Sequence, residues 1–342
     1  AMQVAQRGTS STSSGYQTID RIKASYNGTD EAPTYAQVDV ASGTTPYTQG
    51  FRKALKITNG NQTGGVGSSD KIEFEYKIEA QDMASSGWNY KSSSSFVTLS
   101  FWVKSSVSQN FNAYIITLDG TGQNFPFETG TLSADTWTKI TKTIPGNSNI
   151  DFNNDNGEGL RLVFNQFLGT DSTGSVSLNA WSTFSGSTRT PDQTSTWYTT
   201  NDATWEITGL QLEVGSVNTD FEHRSFGQEL ALCQRYCQVF GGVTNYTLFG
   251  SGVWKSSTAA SIGIPFMTKM RSQPSFSVTS PTNSMVRSGG TNIDVTTIAL
   301  DINTTENVMY NANASSGGTN GHGAMHLGKG NTDTIITLSA EL

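Results

Sequence analysis

Along most of this chain apolar and polar residues alternate one by one in short runs, and clusters of Gly, Asn, Asp and Ser break the runs. A period of two puts successive side chains on opposite faces of a strand. In FVTLSFWVKSS, Val97, Leu99, Phe101 and Val103 share one face, while Thr98, Ser100, Trp102 and Lys104 share the other. This predicts a strand with a buried face and a polar face that carries a Trp. Similar runs predict strands at Lys71 to Ile78, Asn112 to Leu118, Trp137 to Ile144, Leu160 to Phe167 and Thr204 to Val214. Their close spacing is that of a sandwich or barrel. Residues 1–18, rich in Ser, Thr and Gly, read as a linker or strap before the first alternation at Ile19 to Ile22, so the first domain is expected over 19–224.

The period changes in SFGQELALCQRYCQVFGG. Ser225 stands three residues before Gln228 as a capping box, and Gly241 and Gly242 supply a permissive end. Phe226, Leu230, Cys233, Cys237 and Phe240 form one apolar stripe, which predicts a connecting helix over 225–241. Residues 242–342 return to strand-like text at Val243 to Phe249, Ser261 to Phe266, Ser275 to Thr279, Ile293 to Leu300 and Thr334 to Leu338. A second, smaller β domain is expected there. No fixed-period repeat suggests a solenoid or propeller.

Composition sharpens this picture. Of 342 residues only 14% are charged, Gly contributes 35, and Ser, Thr and Asn supply most of the polarity. Long solvated helices need the opposite mixture, so the chain is expected to be all-β. Aromatic residues at 10% are enough for a true core. The net charge of −7 and the lack of any Lys/Arg cluster remove the electrostatic footprint of nucleic-acid binding. No apolar run reaches the roughly 20 residues that span a bilayer, and the opening AMQVAQRGTSSTSSG has no charged leader followed by a hydrophobic stretch. Two cysteines cannot form a disulfide framework, which fits assembly in a reducing cytoplasm.

Several phrases together carry a resemblance: AMQVAQRGTSS followed by YQTIDR, LSFWVKSS, WTKITKTIPG and ITGLQLEVGSVNTDFEHRSFGQELALCQRYC, with looser likeness in PFMTKMRSQPSF and the closing LSAEL. In this order they resemble a family of virion structural proteins of tailed bacteriophages, especially marine ones, usually described as tail-fibre or related surface proteins. The resemblance implies a first domain similar to jelly-roll carbohydrate-binding modules, with two antiparallel sheets face to face. It also implies a homotrimer, contacts with other virion proteins, further chain upstream of Ala1 and a natural end at Leu342. The expected fold is therefore an antiparallel jelly-roll sandwich, a short helix and a smaller C-terminal β domain. The expected function is non-enzymatic display of β domains on the virion, assembled in the host bacterial cytoplasm, for attachment to host-surface glycan. Two alternatives stand beside it: a purely architectural virion protein that binds no glycan, and a glycan-degrading depolymerase.

Sugar binding by a sandwich needs aromatic faces for pyranose rings and polar groups for hydroxyls. Trp102 and Lys104 on their polar face, Gln211 and Glu213 alternating away from Leu210, Leu212 and Val214, and the loop pair Trp88 and Tyr90 are the candidates. The competing reading packs these Trp residues under a loop or in a subunit interface. Trp137 and Trp205 read as core. In DFNNDNGEG, Asp151, Asn153, Asp155 and Glu158 offer oxygen ligands suited to calcium, although the spacing is not that of an EF-hand; the competing reading is an Asn/Asp/Gly hairpin turn.

Other chemistry is weakly supported. Cys233 and Cys237, four apart on a helix, would strain as a disulfide and read as core packing. His322 and His326 lie among glycines in what reads as a flexible surface loop. GGVGSSDK lacks the ending of a phosphate-binding loop and reads as a turn, no GxSxG elbow occurs, and His223 belongs to a hinge-like phrase. Two acids converging from distant strands remain the route to a glycosidase that spacing cannot reveal.

Overall fold

The computed structural model describes residues 2–342 and divides into two compact units, one comprising the chain up to Phe226 together with Leu342, the other Gly227–Glu341. Both are all-β, and every pairing between named strands is antiparallel.

The first unit contains β1 (Ser10–Ser11), β2 (Ile22–Asn27), β3 (Thr34–Asp39), α1 (Thr45–Thr48), β4 (Lys53–Thr58), β5 (Lys71–Glu79), α2 (Ala80–Ala84), β6 (Phe96–Ser105), β7 (Asn110–Thr117), β8 (Gln123–Thr131), β9 (Thr138–Pro145), β10 (Glu158–Leu168), β11 (Ser182–Thr183), α3 (Thr196–Thr199) and β12 (Thr204–Val214). They form two six-stranded sheets, β1-β3-β4-β12-β6-β9 and β11-β8-β7-β10-β5-β2, packed as a jelly-roll-like sandwich. Val97, Leu99, Phe101 and Val103 are all buried in the core between them, as the alternation predicts. Phe101 of one sheet meets Phe164 of the other edge-on at 5.1 Å, and Phe164 stacks on Phe74 at 4.8 Å. Such ring pairs each add about 0.5–1.5 kcal/mol beyond the area they bury.

Burial of the opposite face of β6 departs from expectation. Thr98, Ser100 and Trp102 are also buried, because residues 215–223 fold back across this sheet. Thr98 donates to the carbonyl of Gly215 at 2.8 Å, Phe221 meets Phe51 edge-on at 4.8 Å, and His223 Nε2 lies 2.8 Å from the carbonyl of Gln49. His223 is thus held as a structural pin. A bulge in β12 between Thr208 and Gln211 makes room for Phe51: Gly209 has φ +64°, and a Cβ there would stand 2.7 Å from the Phe51 ring.

The presumed linker is also built in. Ser10 and Ser11 pair with β3, Met2 and Val4 are buried, and Asp20 N–H donates to the carbonyl of Val4 at 3.0 Å. Residue 1 lies outside the described residues.

The second unit contains α4 (Phe226–Gln234), which begins one residue before it, and β13 (Cys237–Gly241), β14 (Leu248–Trp254), β15 (Ala259–Pro265), β16 (Ser275–Thr279), β17 (Ser284–Ser288), β18 (Thr291–Asp294), β19 (Thr297–Asn303), β20 (Asn307–Asn313), β21 (Gly323–Gly328) and β22 (Ile335–Ser339). A three-stranded sheet, β13-β22-β16, and a seven-stranded sheet, β18-β17-β21-β14-β15-β20-β19, enclose a core around Trp254, Ile262, Tyr310, Ile336 and Leu338. The predicted helix over 225–241 is corrected here. It ends at Gln234, and Cys237 opens a strand in full register with β22. The run Cys237-Gln-Val-Phe, ending in Gly241 and Gly242, pairs better than it coils, since Val and Phe favour the pleated surface. Cys233 and Cys237 are both buried, but on different elements. The strand expected at Val243 to Phe249 is largely a turn, with strand resuming at Leu248, and Ile293 to Leu300 is split into β18 and β19.

Candidate functional site

Of the aromatic platforms expected from the sequence, Trp102 and Trp88 are buried and Tyr90 is partly exposed. Trp102 is 8% exposed, donates from Nε1 to Gln49 Oε1 at 3.2 Å, and packs in a small second core with Val40, Phe51 and Ala54. Trp88 is 3% exposed within the main core, where Tyr90 and Phe152 also pack. Lys104 forms an ion pair with Glu206 at 2.9 Å and lies over the half-buried Trp137. Gln211 and Glu213 hold the strap: Glu213 accepts the amide and hydroxyl of Thr219, and Gln211 accepts the amide of Glu222. These contacts explain why Glu213 titrates low despite some desolvation. The sequence correctly placed Trp102, Lys104, Gln211 and Glu213 on the outer face of their sheet; the strap that closes over them has no periodic pattern to announce it.

The calcium constellation is likewise not assembled. Asp151 pairs with Lys91, Asn153 bonds to Asp119, and Asp155 accepts the amide of Gly157. Glu158 is claimed by Arg161 at 2.6 Å and Lys77 at 2.8 Å. Burial alone would raise Glu158, but those two cations outweigh it and hold the carboxyl below the usual range. Among the described residues no group of three or more His, Cys, Asp or Glu side chains is arranged for a metal ion. The segment is a crossover between the two sheets, since β9 and β10 lie in different ones, so it is not a hairpin either.

His326 belongs to β21 and is 0% exposed, a correction to the surface loop expected there. Its Nδ1 lies 2.7 Å from the Tyr310 hydroxyl and its Nε2 lies 2.8 Å from Ser284 Oγ. Ser284 donates onward to the carbonyl of Pro281 at 2.6 Å. Serine, histidine and tyrosine are thus linked as in a nucleophilic site, yet sealed inside a core, where burial pushes the imidazole down to about 3.

The arrangement best suited to binding lies on the outer face of the sheet β11-β8-β7-β10-β5-β2. Along β5 the side chains alternate between Ile72 and Phe74 in the core and Glu73, Glu75 and Lys77 outward. Along β10, Leu162 and Phe164 point inward, then a bulge between Asn165 and Phe167 leaves two consecutive amides, Asn165 and Gln166, out of the core. Asn165 stands in register with Glu73. Lys23, Glu75, Arg161, Glu158 and Lys77 form an ion-pair chain across this face.

The segment 169–195 folds over part of the face. Arg189 and Pro191 carbonyls accept from Asn124 and Asn112, and Phe184 packs on Tyr114, Ile116 and Val163. Burial beneath it pushes the Tyr114 phenol well up. Where this segment ends, a cleft of about 340 Å³ opens between the loop 66–68, residues 167–170, Thr173, and the run holding Asp192, Gln193 and Ser195. That volume sits at the lower end of the ~300–1,000 Å³ typical of small-molecule sites. Gly169 permits the close approach of the two loops, since a Cβ there would stand 2.3 Å from the carbonyl oxygen of Ser68.

Polar atoms around this region lack partners. Both amide atoms of Asn165, Gln166 and Gln193, together with Glu73 Oε2 and Gln109 Nε2, are buried without a hydrogen bond. An unpaired buried polar group costs about 1–3 kcal/mol, so several in one region mark a place where water or a ligand completes the hydrogen bonding. Sequence reasoning passed over these residues. The consecutive amides in VFNQFL, breaking an otherwise apolar strand, were the available signal; Asp192 and Gln193, in an irregular loop, gave none.

No protein-family model and no curated protein matches this chain. Among solved structures, a CBM4 module is similar over 56% of this chain and 78% of its own, at 16% identity and a TM-score of 0.29. A family 11 carbohydrate-binding module from Clostridium thermocellum, in complex with a β-1,3-1,4-mixed-linked tetrasaccharide, is similar over 62% and 98%, at 10% identity and a TM-score of 0.28. The enzymatically active domain of tailspike protein 4 of bacteriophage CBA120 is similar over 63% of this chain and 22% of its own, at 13% identity and a TM-score of 0.32. Likeness of this degree carries no correspondence of residues or ligands.

Proposed function

We propose that the chain is a non-enzymatic glycan-recognition component of a bacteriophage particle, a segment of a tail fibre or other surface fibre that presents the first sandwich to host-surface sugar. The observation that carries the binding role is a cleft of about 340 Å³ whose lining includes Gln193, an amide with no protein partner. Sugar hydroxyls both donate and accept, and match amide side chains that do the same. Low charge suits this use, because amide and hydroxyl contacts depend little on salt. The virion role rests on the ordered motifs from the opening strap to LSAEL; in a homotrimeric fibre three such clefts would act together, the first contact raising the effective concentration of the others.

A glycan array probed with the purified chain, with its oligomeric state measured by light scattering, tests this reading. Concentration-dependent signal from a trimer is expected. The architectural reading, without glycan, is favoured by one observation: Trp88 and Trp102 are occupied in the packing of the fold. Silence on the array would support it, together with labelling of this chain at a joint between virion parts.

A further inference from the structure

Resting on the glycan reading above, we infer that the cleft selects a neutral sugar unit and turns acidic sugars away. One charged side chain lines it, and that is a carboxylate, Asp192. The hydroxyl of Thr173 donates to Asp192 Oδ1 at 2.5 Å, which fixes the carboxylate at the rim with Oδ2 available to accept. Beneath the rim lies a second acid, Asp70, whose Oδ2 accepts the Gly67 amide and the Tyr198 hydroxyl.

The neighbouring cations are committed elsewhere. Lys71 pairs with Glu73 at 2.7 Å, and Arg189 Nε donates to the carbonyl of Gly186 at 3.0 Å. A uronate or sulfate group entering the cleft would therefore meet Asp192 without a lining cation to offset the repulsion. A neutral pyranose meets a better match. Gln193 lines the cleft with an amide whose oxygen and nitrogen have no protein partner and are turned away from solvent. Vicinal hydroxyls are each donor and acceptor, so a diol would satisfy both atoms once the side chain turns toward it. The lining also includes the apolar Val66 and Leu168, which suit the C–H face of the same ring. Thus the polar wall reads hydroxyls, and the carboxylate at the rim rejects anions.

The test is calorimetric titration of the full chain with neutral hexo-oligosaccharides and with uronate-bearing counterparts of the same linkage, repeated with Asp192→Asn and at raised salt. Neutral ligands should bind at least about tenfold more tightly than the acidic ones, as expected for a like-charge contact at a partly exposed rim. Asp192→Asn, which keeps an acceptor for Thr173, should shrink that ratio, and so should salt, which acts without any substitution. Equal binding of acidic and neutral ligands by the native chain, or a ratio unmoved by both Asp192→Asn and salt, overturns the inference while leaving glycan binding in place. Binding to neither class overturns the glycan reading itself.

Discussion

Asn165 of β10 stands directly opposite Glu73 of β5, both on the outer face of their sheet, and both amide atoms of Asn165 and Oε2 of Glu73 are buried without a hydrogen-bond partner. Packing alone does not require this pair: an apolar residue at 165 would bury as well and leave nothing unpaired. Replacing a buried unsatisfied amide by an apolar group of similar shape is close to neutral for stability, or favourable. Asn165→Leu should therefore keep or raise the melting temperature, a shift that calorimetry reads directly.

Trp102 gives the opposite expectation. It is buried under the 215–223 strap, with its indole N–H bonded to Gln49. Trp102→Phe should cost about 1–3 kcal/mol through the lost volume and hydrogen bond. Glycan affinity should not change. A denaturant melt paired with a binding isotherm reads the two effects separately.

Removing divalent cations should leave the first unit untouched. Asp151, Asn153, Asp155 and Glu158 are each engaged with a different protein partner. Melting curves with a chelator and with added calcium should superimpose. A rise in melting temperature on adding calcium would show that these oxygens gather around an ion after all.

The buried histidine sets a pH dependence for the second unit. His326 is held neutral between Tyr310 and Ser284, with its folded pKa near 3 against 6.5 for the free side chain. The unfolded chain therefore binds more protons between these values, so the stabilisation is complete above about pH 6.5 and declines as the pH falls toward about 3, by at most ~1.4 kcal/mol per pH unit. His326→Gln, which cannot titrate, should be less stable at pH 7 but should show a flatter profile from pH 6.5 down to 4. Denaturation midpoints across that range measure the difference in slope.

How much of this was legible in the sequence depended on whether a signal was local. Alternation located β6, β10 and β12 and chose the buried face of β6 correctly, because a period of two reports directly on the pleat. It failed for the opposite face, since the burial of Trp102 depends on a strap from more than a hundred residues away. The helical stripe through Cys233 and Cys237 failed for a related reason. Spacings of four and three also occur by chance where a helix gives way to a strand, and β13 is settled by its pairing with β22 at the far end of the chain. The glycines around His326 suggested a loop, yet Gly323 and Gly328 bound β21, a strand that pairs with both β14 and β17. The cleft was invisible because three separate loops build it, and only the amide pair Asn165-Gln166 hinted at a polar interior.

A sugar held in the cleft would draw part of its affinity from Gln193, whose amide has no protein partner. The direct measurement is the affinity of the intact chain, and of Gln193→Ala, for the neutral oligosaccharide that the array selects. Gln193 is half-buried and bonded to no protein group, so its truncation leaves the fold's own hydrogen bonds intact. An unchanged melting temperature with binding weakened about tenfold or more is expected; identical binding by Gln193→Ala and the native chain would rule out a sugar site in this cleft.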